Sequence, residues 1–207
     1  QGRVTLNHPV TINGPNTASN DVIIDGNGQQ LFFINISTGW TIITDLTLKN
    51  GGGGNGGVIH LPNNKNLRLE RCTISDTTQT GNSLGLAIFV QTGATFIMDR
   101  CTVTGISGPL NQQTQGTIFV QDGATASITN STISDNQAQQ GSAIYNRGGN
   151  LTLTHCTITE NTGNGQNPDK NSGAAIYVSE VSSGSTTITN TLVVNNTNTA
   201  TGGPAAD

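Results

Sequence analysis

Few residues in this 207-residue chain could do chemistry, and their spacing limits what that chemistry is: 12 are Asp or Glu, 3 are His and 3 are Cys. Glycoside hydrolysis needs two carboxylates about 5 to 9 Å apart. Asp135 and Glu160 are the best-placed pair, because they follow the matching segments STIS and CTIT. They read as a carboxylate pair or a Ca²⁺ site, set against a solvated strand end. The solvated end is preferred, since no Lys, Arg or His holds the same or the adjoining position within the nearest coils. Asp76 belongs to the same series, and Gly105 interrupts it. Glu70 and Asp99 lie beside Arg71 and Arg100 and read as a surface ion-pair patch, worth little in stability. His8, His60 and His155 fall in three different registers, so no acid–base dyad forms. Asp25 belongs to DGNG, a turn signal and a poor catalytic acid.

The cysteines recur at one position: Leu46, Cys72, Cys101, Ser131, Cys156, Thr191. A metal or redox row is one reading, and a stack of small buried fillers is the other. The fillers are preferred, because no Cys has a His or a second Cys at zinc spacing. An odd count also excludes a complete disulfide framework. The residues themselves therefore point to no catalytic group, no metal and no cofactor.

The elements that would position these residues repeat along the chain. Units begin at about Val22, Gly57, Gly85, Gly116, Gly141 and Gly173, with a period of about 25 to 35 residues. Each clear unit opens with Gly and a short apolar strand: GVIHL, GLAIFVQ, GTIFVQ, GSAIYN, GAAIYV. A bend leads to a second strand, such as NLRLE or NLTLT, and a one-residue corner leads to a third, such as CTIS or CTVT. Alternation of period two inside each strand indicates β-structure. Three short strands per repeat make one coil of a parallel β-solenoid, stacked on the next at about 4.8 Å. Ile59, Ile88, Ile118, Ile144 and Ile176 form one inward column; Leu69, Met98, Ile128, Leu153 and Ile188 form another. Slipping any strand by one residue would turn its face inside out. The expected fold is all-β: one domain over 1–207, a right-handed parallel β-helix of about six or seven coils.

Composition narrows the partners. Hydrophobic residues make up 32% and charged residues 10%, with net charge −4. The core must therefore be thin and the surface neutral. No basic footprint for nucleic acid exists. No apolar run approaches the roughly 20 residues a membrane span needs. Strand-like sequence starts at once from Gln1, so a mature or excised piece of a secreted protein is expected.

The segments GLAIF, GSAIY and GAAIY, with Asn-rich turns and the opening VIIDGNGQQLF, resemble right-handed parallel β-helix repeat proteins of the pectate-lyase-like superfold. The likeness is greatest to bacterial secreted and surface β-helix proteins, including the polymorphic outer-membrane protein type. The resemblance implies a secreted or cell-surface location. Some relatives are polysaccharide lyases or hydrolases, and the lyases place Asp or Glu around Ca²⁺ with an Arg or Lys base nearby. A carbohydrate-active enzyme is therefore the alternative to a structural protein.

Three further series run along the solenoid. His60, Phe89, Phe119, Tyr145 and Tyr177 follow the inward Ile column by one residue and so point outward. Such a row is either an interaction surface for a carbohydrate or a host or cell-surface ligand, or is covered by the variable loops. Thr73-x-Ser75, Thr102-x-Thr104, Thr132-x-Ser134 and Thr157-x-Thr159 give two ranks of hydroxyls on one face. They resemble the ranks of ice-binding proteins, although Thr also suits any exposed strand face. Asn136, Asn161 and Asn196 form a structural Asn ladder at a bend, where the amide tolerates unusual backbone angles. No capping helix is evident at either end, and uncapped strand edges invite head-to-tail association. The sequence thus reads as a non-catalytic extracellular structural protein, a filament subunit or adhesin stalk or passenger. Its partners are further copies or neighbouring domains. A carbohydrate-active enzyme is second and an ice-binding protein third.

Overall fold

The computed structural model describes residues 2–15, 22–110, 113–163, 173–179 and 183–199. Three seven-stranded parallel sheets wrap one narrow core. The first sheet runs from Val4–Leu6 through Ile118–Val120 to Ile176–Val178, the second from Val10–Asn13 through Thr125–Thr129 to Thr186–Thr189, and the third from Ile23–Asp25 through Thr132–Ser134 to Leu192–Val194. Each strand pairs with its equivalent one repeat away, so the chain climbs by seven rungs. The coil count expected from the repeat is met. The first rung, however, draws strands from Val4–Leu6 and Val10–Asn13, ahead of the earliest unit legible as a repeat. Two minor sheets lie beside the main three: Ser83–Leu84 with Thr114–Gln115, and Gln137–Ala138 with Thr162–Gly163 and Thr197–Asn198.

The corners explain how such short strands make a closed coil. Between the second and third sheets each rung after the first places one residue at positive φ: Asp45, Arg71, Arg100, Asn130, His155 and Asn190, with φ from 48° to 58°. A second such column follows the third sheet: Asn50, Asp76, Gly105, Asp135, Glu160 and Asn195, with φ from 52° to 65°. A single left-handed residue turns the chain onto the next sheet, at roughly 1–2 kcal/mol for a non-glycine residue. Gly105 therefore does not interrupt the Asp76–Asp135–Glu160 series; it is the residue best suited to that corner. The glycine that opens each unit has a steric reason as well. A Cβ on Gly85 would lie 2.1 Å from the Ile88 carbonyl oxygen, and Gly56, not Gly57, occupies the same place one rung earlier.

The inward columns are in the expected register. Ile59 pairs with Ile88, Ile88 with Ile118, and Ile118 with Ile144. All four are fully buried. Ile188 continues the second sheet's column but sits on the last rung and is 47% exposed, because no strand lies beyond it among the described residues. No helix occurs among the described residues, and none is therefore long and apolar enough to cross a membrane.

Candidate functional site

The outer face of the first sheet carries a continuous ladder of rings: Phe33, His60, Phe89, Phe119, Tyr145 and Tyr177. Neighbouring ring centroids lie 4.7 to 5.5 Å apart, and Phe119 stacks nearly parallel on Tyr145. The strand register predicts this, since the residue after each inward Ile must face out. The ladder is not an exposed surface: of the two readings open from the sequence, cover by the chain's own loops is the one seen, and an open interaction surface is not. Phe89, Phe119 and Tyr145 are buried, while His60 and Tyr177 are only half-buried. Leu84, from the short Ser83–Leu84 strand, packs against these rings. The loops that differ between repeats thus supply the ladder's cover. Phe33 was missed because its repeat lacks the opening Gly; its pairing with His60 places it in the column. Arg3 closes that end, its guanidinium carbon 4.3 Å from the Phe33 ring centre.

A groove of about 560 Å³ remains open beside Tyr145, lined also by Leu84, Gln113, Gln115, Asp122, Arg147 and Ser179. It combines the edge of an aromatic ring with amide groups and one charge of each sign. Burial pushes the Tyr145 hydroxyl up to about 12, so it is a neutral hydrogen-bonding group at physiological pH. Sequence reasoning found only Tyr145 among these residues. Leu84 pairs with Gln115, and Arg147 and Ser179 each follow a strand of the first sheet by one position; their side-chain types differ from rung to rung, so the columns carry no sequence signature. Within the ladder, His60 hydrogen-bonds to Gln91, and its Nε2 is buried with no partner among the described residues. Burial holds the ring below its ordinary pKa, and Arg3 adds to this.

The third sheet presents the hydroxyl ranks in matched register. Thr73, Thr102, Thr132 and Thr157 pair along one column, and Ser75, Thr104, Ser134 and Thr159 along the other. Most of these side chains are half-buried, and Ser75 is buried. Lys49 and Val194 end the second rank, and Leu192 ends the first.

Asp135 and Glu160 stand at adjacent exposed corners of the left-handed column. The nearest bond to either is a long one, 3.5 Å from the Thr104 hydroxyl to Asp135 Oδ2. Directly after them the Asn ladder turns inward. Asn136, Asn161 and Asn196 are buried. Asn136 Nδ2 donates to Asn161 Oδ1 at 2.9 Å, and Asn161 Nδ2 donates to Asn196 Oδ1 at 2.9 Å. The same oxygens accept the backbone N–H groups of Asn136 and Asn161. A side-chain amide supplies two N–H donors and an accepting oxygen together, and Asn161 uses both donors on the Ile133 and Thr159 carbonyls as well as on Asn196. Thr77 and Ile106 occupy the column in earlier rungs, and Ile106 N–H donates to Asn136 Oδ1.

The acid–base patch at the other corner is more ordered than its sequence suggests. Arg71 grips Asp45 through Nε and Nη2, at 2.6 and 2.8 Å, and also reaches Glu70. That hydrogen-bonded pair holds the Asp45 carboxyl below the usual carboxylate range, against its burial. Arg100 pairs with Asp99 at 2.9 Å. Asp45 was missed because it sits one rung below the obvious Glu and Arg series. The cysteines are free, buried and stacked: the backbone N–H of Cys72 lies 3.3 Å from Cys101 Sγ, and that of Cys101 lies 3.1 Å from Ser131 Oγ. Contact with Cys72 and burial push the Cys101 thiol up, and burial does the same for Cys156. Among the described residues no group of three or more His, Cys, Asp or Glu is gathered to hold a metal ion.

A family model described as a right handed beta helix region matches residues 10–203. The chain belongs to the right-handed β-helix family. Comparison with curated proteins and with solved structures returns no match. The family model covers the whole run of rungs from the second strand onward, so ring ladder, hydroxyl ranks and Asn ladder all belong to one β-helix. The fold alone hosts enzymes and non-enzymes, and function has to be argued from the surfaces just described.

Proposed function

We propose that this β-helix is a non-catalytic extracellular structural protein, the rigid shaft of a filament or of an adhesin. The Asn136–Asn161–Asn196 ladder carries the reading. The buried polar groups nearest the best carboxylate pair direct their hydrogen bonds along the rod, from rung to rung. Asp135 and Glu160 beside them face solvent with no ion pair among the described residues. The long contact from the Thr104 hydroxyl is the one hydrogen bond at either carboxylate among the described residues, so nothing holds the pair in the fixed geometry that catalysis needs. The test is incubation with pectin-like and neutral polysaccharides. Release of unsaturated or reducing sugar, lost in an Asp135→Ala variant, would overturn the proposal. An inert chain that appears as short rods by electron microscopy supports it.

The groove beside Tyr145 favours a second reading, a saccharide-binding surface on the shaft. Sugars suit an aromatic edge flanked by amides and charges. Calorimetric titration with uronate-containing and neutral oligosaccharides tests this. Arg147→Ala should abolish binding of the acidic ones, and an absence of heat with every oligosaccharide would sink the idea.

A further inference from the structure

The exposed large apolar side chains gather on the terminal rungs. Val4, Val22 and Ile23 belong to the first rung, and Val178, Ile188 and Leu192 to the seventh; Trp40 is the one other exposed large hydrophobic among the described residues. The partly buried side chains packed against the core follow the same division: Leu6, Ile12 and Ile24 at one end, Ile176 and Val193 at the other. Among the described residues the inner columns are thus saturated in the middle and open at both ends.

The outward face makes the pattern specific. One column of the third sheet reads Ile23, Thr47, Thr73, Thr102, Thr132, Thr157, Leu192. Five hydroxyls stand in the middle, and an aliphatic side chain stands at each end. Ile23 is 51% exposed and Leu192 is 56% exposed. An outward position in contact with water gains nothing from Ile or Leu over Thr. The gain comes where two such residues meet, and stacking the seventh rung on a first rung makes them meet.

We propose that the seventh rung of one copy docks onto the first rung of another copy in the register the sheets already use. The inference rests on the structural reading above and names its partner: a second copy of this chain. Leu192 then lies beside Ile23 of the next copy, Val193 continues the column of Ile24, and Ile188 continues that of Ile12. A groove of about 430 Å³ opens beside the first rung, lined by Val4, Ile24 and Leu31 together with Asp25, Gln29 and Gln30, so the docked copy would meet an apolar patch with polar groups around it. The edges carry little that would prevent pairing. Native edge strands are commonly guarded by Lys, Pro or bulges. The six terminal strands contain no Lys or Pro, and Asp25 is their one charged residue. The contact joins two different surfaces and does not close on itself, so it propagates.

The test uses the whole 207-residue chain with two outward variants, Ile23→Lys and Leu192→Glu. Neither touches the inner columns, and circular dichroism checks that both fold. By light scattering and electron microscopy the unaltered chain should lengthen with concentration. Each variant alone should need roughly tenfold or more protein to assemble. An equimolar mixture should recover assembly, because the carboxylate introduced in one chain then meets the ammonium introduced in the other. A monomeric unaltered chain at every concentration overturns the inference. Variants that assemble as well as the unaltered chain overturn it too, as does a mixture that recovers nothing. A monomeric rod leaves the structural reading standing, because only catalytic turnover overturns that.

Discussion

Two ladders run along this rod, and they are held by different physics. The Asn ladder fills its hydrogen bonds: each amide donates to the next side chain and accepts from the rung before. The ring ladder is held by burial under Leu84 and by face and edge contacts, and it leaves His60 Nε2 without a partner among the described residues. A polar column is specific and unforgiving, because one missing member strands its neighbours' buried groups. An aromatic column tolerates a mixture of Phe, Tyr and His, because each needs only area and a compatible ring angle.

The comparison can be broken by mutation, starting with the aromatic side. Phe119→Ala removes the fully buried ring at the centre of the cover and should cost about 3–5 kcal/mol in denaturant unfolding. Asn161→Leu keeps the branched shape but is bulkier and leaves the Ile133 carbonyl and the Asn136 amide unpaired, for a loss of about 3 kcal/mol. Phe119→Tyr against Asn161→Asp sharpens the contrast: the ring exchange should be the milder of the two in thermal melts. His60 gives a pH signature. Its folded pKa is depressed by burial, so the unfolded chain takes up the proton first, near pH 6.5. Stability is then full above that pH and falls as the pH drops through it. A His60→Phe variant should show a flatter melting temperature between neutral and mildly acid pH. The smallest effect belongs to the hydroxyl ranks: Thr132→Val should change stability by no more than about 0.5 kcal/mol.

The fold was legible because the repeat writes it several times over. Ile88, Ile118 and Ile144 each predict the same column, so an error in one unit is corrected by the others. Loops do not repeat, and the misreadings come from there. The rings from His60 to Tyr177 were placed on the correct face of the correct sheet, yet Leu84, which covers them, is matched by Gln115 and Gln140 in the next units, so its column shows no apolar pattern. Backbone angle was the other blind spot. Asp76, Asp135 and Glu160 share a carboxylate that Gly105 lacks, so they look like a broken carboxylate row. Positive φ unites them, and sequence shows that only indirectly, through the frequency of Asn, Asp and Gly at one offset. His155 and Arg100 in the other corner column carry no such hint.

The rung-to-rung pairing also bears on how the chain folds. Partners in neighbouring rungs lie 25 residues apart at Asn136–Asn161, 29 at Cys72–Cys101 and 35 at Asn161–Asn196. Closing a loop of 35 residues instead of 25 costs only about 0.3 kcal/mol more. Each new rung therefore faces nearly the same entropic barrier, whatever its loop length. Assembly of the coil becomes a zipper whose steps are alike, able to start at any well-packed pair of rungs and grow in both directions. Lengthening the molecule by another rung would add a step to that process without making any step slower.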